Sequence, residues 1–384
     1  MHLPMRLLLI LCLLMSINVI SKKTSIDEKD DDYVQEYEYS YTYKSIIYEK
    51  AETNTPSNIY TNHAGNVVIT GDTLGNILVS TNHGKSWAES KLLYDGNSYY
   101  SIAGLVMNEE GDKMLVSTNS NLIFYSSDYG STFNVRSTER QCSIMAATMD
   151  LDNVVCIGGE LTKSSTLSVD DDNDDGEDLY NYNYLYRSQD GGYTWEQSDS
   201  KHARWIGLLS NEDGSWIVGV IRHKLQYAWA SDDGGKTYKC INDEEINDWG
   251  VVCGSKNLQT MMMTDTVSKN VHISVDYGYT WTQIYSGADL DDSISINSCA
   301  ISANSYEGTE TNINLALGFT GNAMKVVYGC DPHDEFEHCA DRWYDTGNSD
   351  SDTYSQALSK NGKYFYSIDS STMKIALGTR KDID

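Results

Sequence analysis

The residues Asp171-Asp172-Asn173-Asp174-Asp175-Gly176 set oxygen donors on alternate positions ahead of a glycine. Asp171, Asn173 and Asp175 then point inward together and Gly176 allows a sharp turn, which is the spacing of a calcium loop. The last ligand position falls on Tyr182 instead of a bidentate Glu, so the stretch reads equally as a solvated acidic loop. Further carboxylates come in runs: Asp243-Glu244-Glu245 with Asp248, Asp289 with Asp291-Asp292, and Asp350 with Asp352. Trp249 follows the first run, where an indole can stack on a sugar ring or pack in a core. Glycoside hydrolysis needs one carboxyl acid and one carboxylate base across a groove, and so many candidates leave no pair singled out. Cys330-Asp331-Pro332-His333 and His338-Cys339 offer four zinc ligands, or a disulfide closing a small loop. Tyr33, Tyr37 and Tyr39 stand among acidic residues, the setting of tyrosine sulfation.

The charge balance narrows the partners. The chain of 384 residues holds 28 basic against 56 acidic residues, a net charge of −28. Phosphate backbones need Lys and Arg, so nucleic acid is excluded as a partner. Cationic proteins and divalent ions fit instead, calcium first among the ions. Residues 1–21 read as a signal peptide: Arg6 supplies the positive start, Leu7 to Met15 the apolar core, and Ser21 a small residue at the cut. That apolar run is too short for a membrane span. Cys12 leaves with the signal, and an odd number of cysteines remains in an oxidising compartment. Cys330 and Cys339 can staple one loop, Cys142 and Cys156 can face each other across a hairpin, and Cys253 and Cys299 sit in apolar runs that suit buried thiols.

These side chains must be positioned by elements, and the elements repeat. One phrase occurs five times: Ser80–Trp87 (STNHGKSW), Ser126–Phe133 (SSDYGSTF), Ser188–Trp195 (SQDGGYTW), Ser231–Tyr238 (SDDGGKTY) and Ser274–Trp281 (SVDYGYTW). The starts are 46, 62, 43 and 43 residues apart, a period that signals propeller blades. The acidic insert Asp170–Asp178 accounts for the one long spacing. An alternating apolar strand precedes each copy, and two more precede that one, as in Ile102–Met107 and Lys113–Ser117. The same three-strand pattern recurs without the phrase at Ser298–Ser302, Ile313–Gly318 and Met324–Tyr328, then at Ser355–Leu358, Lys363–Ile368 and Met373–Leu377. The last unit lacks an outer strand, which Thr42–Tyr48 can supply from the N-terminal end. The reading is an all-β chain: a tail over 22–42 too charged to pack, then a single β-propeller over 43–384, with seven four-stranded blades closed by an N-terminal strand.

Within the phrase, Asn82, Asp128, Asp190, Asp233 and Asp276 are expected to accept backbone N–H groups of their own turn, and the glycine to take a positive φ. These residues resemble the Asp-box (BNR) repeat of the sialidase-like superfamily, over roughly residues 43–380. The resemblance implies a propeller whose boxes lie away from the binding face. It does not imply sialidase chemistry: that family clamps a carboxylate with three arginines, and the first arginine after the signal here is Arg136. Related endo-glucanases use two carboxylates but two propellers, and the plastid photosystem-assembly factors use a basic patch absent from this chain. The expected role is a secreted propeller binding an extracellular ligand, whether glycan, cationic protein or calcium, through an acidic loop face. The candidates there are Asp243, Glu244, Glu245, Asp248, Trp249, Asp289, Asp291 and Asp292. The alternatives are a glycoside hydrolase using two loop carboxylates and a structural matrix or coat component.

Overall fold

The computed structural model describes residues 17–20, 40–46, 56–72, 75–97, 101–158, 183–222, 227–242, 249–288, 290–291, 293–306, 309–320, 325–330, 344–345, 353–359, 362–369 and 374–381. Every helix or strand among them is a β-strand, and the strands form seven antiparallel sheets.

The first blade is β3 (Pro56–Thr61), β4 (Val68–Asp72), β5 (Asn76–Ser80) and β6 (Ala88–Lys91). The second is β7 (Ile102–Met107), β8 (Met114–Thr118), β9 (Ile123–Ser126) and β10 (Asn134–Ser137). The third is β11 (Cys142–Ala147), β12 (Val154–Gly158), β13 (Tyr184–Ser188) and β14 (Glu196–Gln197). Then follow β15 (Trp205–Ser210), β16 (Ile217–Ile221), β17 (Ala228–Ser231) and β18 (Lys239–Asn242). The fifth is β19 (Trp249–Gly254), β20 (Met261–Asp265), β21 (Val271–Ser274) and β22 (Thr282–Tyr285). The sixth is β23 (Ile296–Tyr306), β24 (Thr309–Phe319), β25 (Lys325–Cys330) and β26 (Tyr344–Asp345). The seventh holds β27 (Thr353–Leu358), β28 (Tyr364–Asp369) and β29 (Lys374–Lys381), completed by β2 (Ser40–Ile46) and β1 (Ile17–Ile20).

The first strand of each blade packs on that of the next, from β3 through β7, β11, β15, β19 and β23 to β27, and β27 returns to β3. The ring is therefore closed. What holds it is strand periodicity. Successive side chains point to opposite faces, so a strand between two blades feeds two cores. Met262 packs toward the sixth blade, while Met261 and Met263 pack toward the fourth. Leu115 faces the third blade, Met114 and Val116 the first. Both faces of these second strands are buried, which is why they read as unbroken apolar runs. Each such side chain contributes roughly 1.5–3 kcal/mol of burial.

Closure uses the N-terminal strand, as the sequence predicts, shifted by two residues from the expected Thr42–Tyr48. β2 pairs with β29 from Ser40 opposite Lys381 to Ile46 opposite Ile375. β1 adds to the outer edge of β2, with Ile17 opposite Tyr43. It lies inside the segment 1–21, and processing after Ser21 would leave this sheet with the four strands of its neighbours. Residues 21–39, and the tyrosines Tyr33, Tyr37 and Tyr39 with them, lie outside the described residues.

Cys142 and Cys156 form the expected disulfide across β11 and β12. Cys253 and Cys299, expected as buried thiols, instead form a second disulfide between β19 and β23. Their sequence separation of 46 hides the contact; adjacent innermost strands create it. Cys240 keeps its thiol, which donates to the Asn242 carbonyl at 3.1 Å. Cys330 ends β25, and Cys339, His333 and His338 lie outside the described residues.

Candidate functional site

Two kinds of turn shape one face of the ring. The first is the repeated phrase, which joins the third strand to the fourth. The serine that opens it donates to the third-position acceptor: 3.0 Å from Ser80 to Asn82, 2.7 Å from Ser126 to Asp128, and 2.8 Å for Ser188–Asp190, Ser231–Asp233 and Ser274–Asp276. The glycine N–H donates to that serine at 2.8–2.9 Å, and the seventh-position N–H donates to the Asn or Asp oxygen at 2.9 Å in all five copies. Two consecutive residues take positive φ, not the glycine alone: His83 and Gly84, Tyr129 and Gly130, Gly191 and Gly192, Gly234 and Gly235, Tyr277 and Gly278. The tryptophan caps the turn, with Trp195 and Trp281 donating to the Gly192 and Gly278 carbonyls at 3.1 and 3.0 Å.

The carboxylates are consumed by this work. Burial raises the Asp233 pKa, but hydrogen bonds from Thr237, Ser231 and Lys236 outweigh it and lower the pKa to about 2. Asp128 and Asp190 are lowered by the same balance.

The second kind of turn joins the first strand to the second. Among the described residues it occurs six times, opening at Asn62, Asn108, Thr148, Asn211, Ser255 and Ser359. Each opening side chain accepts the N–H five residues on, at 2.9–3.2 Å. The fourth residue takes a positive φ in all six: Gly65, Gly111, Leu151, Gly214, Leu258 and Gly362. The signal was present as a polar opener followed three residues later by Gly, but Leu151 and Leu258 break it.

Neighbouring blades are clasped at the same level. Arg136 lies 3.4 Å from the Tyr125 ring and 4.0 Å from the Tyr193 ring, and donates to the Gly191 carbonyl at 2.9 Å. Trp216 takes that part between the fourth and fifth blades, donating to the Tyr277 carbonyl at 3.3 Å.

Because strands alternate in direction, connections between second and third strands and from blade to blade leave by the opposite face. The segments 243–248, 286–295 and 346–352 join one blade to the next, and 159–183 joins β12 to β13. Asp243, Glu244, Glu245, Asp248, Asp289 and Asp292, like Asp171, Asn173 and Asp175, lie outside the described residues. Asp291 is exposed, and its carboxylate accepts the Ser293 N–H at 3.1 Å. Trp249 is 1% exposed, its ring centroid 4.9 Å from Tyr227 and 6.1 Å from Trp281. It is core, and its ring offers no face to solvent. Among the described residues no three His, Cys, Asp or Glu side chains gather as a metal cluster, and no helix is long and apolar enough to cross a membrane.

A cavity of about 220 Å³ opens where the first strands of the first, fourth, fifth, sixth and seventh blades end. Leu209, Leu258, Ile301 and Leu358 wall it, and Lys256 and His63 stand at its polar side. His63 Nδ1 contacts the Lys256 ammonium and lies 2.6 Å from Glu109 Oε1. Sequence reasoning missed this group because its members come from three blades.

No family model matches this chain, and no curated protein matches it. Solved structures do match in fold. YCF48 bound to a D1 peptide is 12% identical, with a TM-score of 0.59 over 89% of this chain and 97% of that one. The β-propeller domain of Myceliophteria thermophila Cps50 (Swd1) is 10% identical, with a TM-score of 0.57 over 87% and 99%. U3-55K is 8% identical, with a TM-score of 0.61 over 88% and 98%. The chain is thus a single β-propeller of seven blades.

Proposed function

We propose that this chain is a secreted propeller of the Asp-box type that binds a cationic protein segment on the face opposite its repeated turns. One observation carries the reading. The carboxylate runs of 170–178, 243–248, 289–292 and 350–352 all fall in connections that leave by that face. The turn face carries carboxylates too: Glu109, Glu110, Asp112, Asp150, Asp152, Glu212 and Asp213 in the first-to-second-strand turns, and those of the segment 331–343 between β25 and β26. Elsewhere on the turn face, Asp128, Asp190 and Asp233 are held by hydrogen bonds of their own turns, whereas adjacent carboxylates in connecting loops remain suited to ligand cations. YCF48, solved bound to a D1 peptide, supports a peptide as a class of occupant for a ring of this shape.

A salt titration of binding to an arginine-rich peptide tests this. Binding is expected to weaken steeply with salt, and the triple variant Asp243→Asn, Glu244→Gln, Glu245→Gln to weaken it further. Salt-independent binding, or a triple variant equal to wild type, rejects the cationic partner. Retention of a neutral glycan or of calcium alone points to the other ligand classes. Incubation with polysaccharides and sialosides, followed by mass spectrometry, tests the hydrolase reading: new products would make the chain an enzyme.

A further inference from the structure

The cavity at the turn-face mouth of the ring differs from its surroundings in charge. The chain carries 56 acidic residues, yet among the described residues no Asp or Glu side chain lines this cavity, while Lys256 and His63 do. Its other walls are polar and apolar in equal measure, with Thr61, Asn62, Ser210, Ser255 and Ser302 set among the leucines, and strands from five separate blades build them, so the shape is preorganised. We propose that it binds a small organic anion, one carboxylate on a short apolar body. Lys256 takes the carboxylate, and Leu209, Leu258, Ile301 and Leu358 cover the body.

The polar side has the right arrangement for this exchange. His63 Nδ1 meets both the Lys256 ammonium and the Glu109 carboxylate. One ring nitrogen serves one of these at a time: bare, it accepts from Lys256; protonated, it donates to Glu109. An arriving carboxylate takes over the ammonium, and Nδ1 of His63 takes up a proton from water and donates it to Glu109, so that each charge keeps an opposite partner. An ammonium has three donor hydrogens, and a half-buried one binds a carboxylate more strongly than one in open water does. Size sets the ligand. At 220 Å³ the cavity is smaller than the roughly 300 Å³ at which drug-sized pockets begin, and suits a molecule of a few carbons.

Hexanoate is the probe, with hexan-1-ol and hexylamine as equal-length controls. Calorimetry on the purified protein should show hexanoate binding, with both controls weaker by about tenfold or more, the loss of one charge-assisted hydrogen bond. Hexanoate, but not hexan-1-ol, should shift the His63 ring resonances. Lys256→Met keeps the apolar stem and should lose the preference for the acid over the alcohol. Hexan-1-ol or hexylamine binding as well as hexanoate would overturn the proposal, and those comparisons require no variant. So would hexanoate binding without a His63 shift, or no hexanoate binding tighter than about 10 mM. Because the cavity and the acidic connections lie on opposite faces, a negative result here leaves the cationic-partner reading standing.

Discussion

Asp233 and Asn82 occupy the same place in their turns, one charged and one neutral, and their bonds differ: Asn82 Nδ2 donates to Ser86 Oγ, whereas Asp233 Oδ2 accepts from Thr237 Oγ1. Asn82 Oδ1 accepts the Ser86 N–H at 2.9 Å as Asp233 Oδ1 accepts that of Thr237. The shared backbone bond shapes both turns, and at Asp233 the charge strengthens it at neutral pH. With its folded pKa lowered to about 2, Asp233 stabilises the fold above the unfolded value of 3.8, and this is lost as pH falls from there toward 2. Urea unfolding of Asp233→Asn should therefore show lower stability than wild type at pH 7 and a smaller loss between pH 4 and 2, so that the gap closes in acid. An acid profile identical to wild type would refute the linkage. Gly278 has a φ of +91°, and an added Cβ would stand 2.7 Å from Met261 Cε. Gly278→Val should lower stability by about 1–3 kcal/mol or more; an unchanged melting temperature would sink the assignment. Leu258 shows the opposite balance. Its φ of +59° costs about 1 kcal/mol, but the side chain is 1% exposed. Leu258→Gly should still destabilise, because lost burial of about 2–5 kcal/mol exceeds the relieved strain. A melting point at or above wild type would reverse that ranking.

At the scale of elements, the two turn types explain how strands with so little else in common register alike. Each uses a short polar side chain as a substitute acceptor and a residue at positive φ to reverse the chain. The phrase SxDxGxTW was legible because it repeats almost letter for letter. The first-to-second-strand turn was less so, since Asn, Ser and Thr interchange as openers and Leu stands at two glycine positions. The disulfides divide the same way. Cys142 and Cys156 lie in consecutive strands, while Cys253 and Cys299 belong to different blades. A loop of 46 residues loses more unfolded-state entropy when closed than one of 14. Cys253→Ser should thus lower stability by about 4 kcal/mol and Cys142→Ser by about 3. Denaturant midpoints measured side by side would test the order.

For the whole molecule, closure is the decisive contact. β2 pairs with β29 along its full length, so the first and last parts of the propeller share one sheet. Removing residues 1–48 takes away that strand, exposes the edge of β29 and leaves the ring open. Deleting 22–38 leaves β2 in place. The first truncation should melt well below the second and be cut sooner by protease; equal stabilities would refute closure by β2.

The sequence by itself determined the architecture: all-β strands, a repeat in the forties, seven units, and a borrowed strand to finish the last one. It could do so because period-two burial and turn chemistry are local, and each blade states them afresh. Only the tertiary structure decided what lies between blades. Trp249 follows an acidic run yet sits in the core, since the first strand of each blade is flanked by neighbours on both sides. Cys253 meets Cys299 for the same reason. His63, Glu109 and Lys256 converge only because the ring closes, bringing residues nearly two hundred positions apart to one mouth. Proximity of that kind is fixed by the closed ring, and no local pattern in the chain records it.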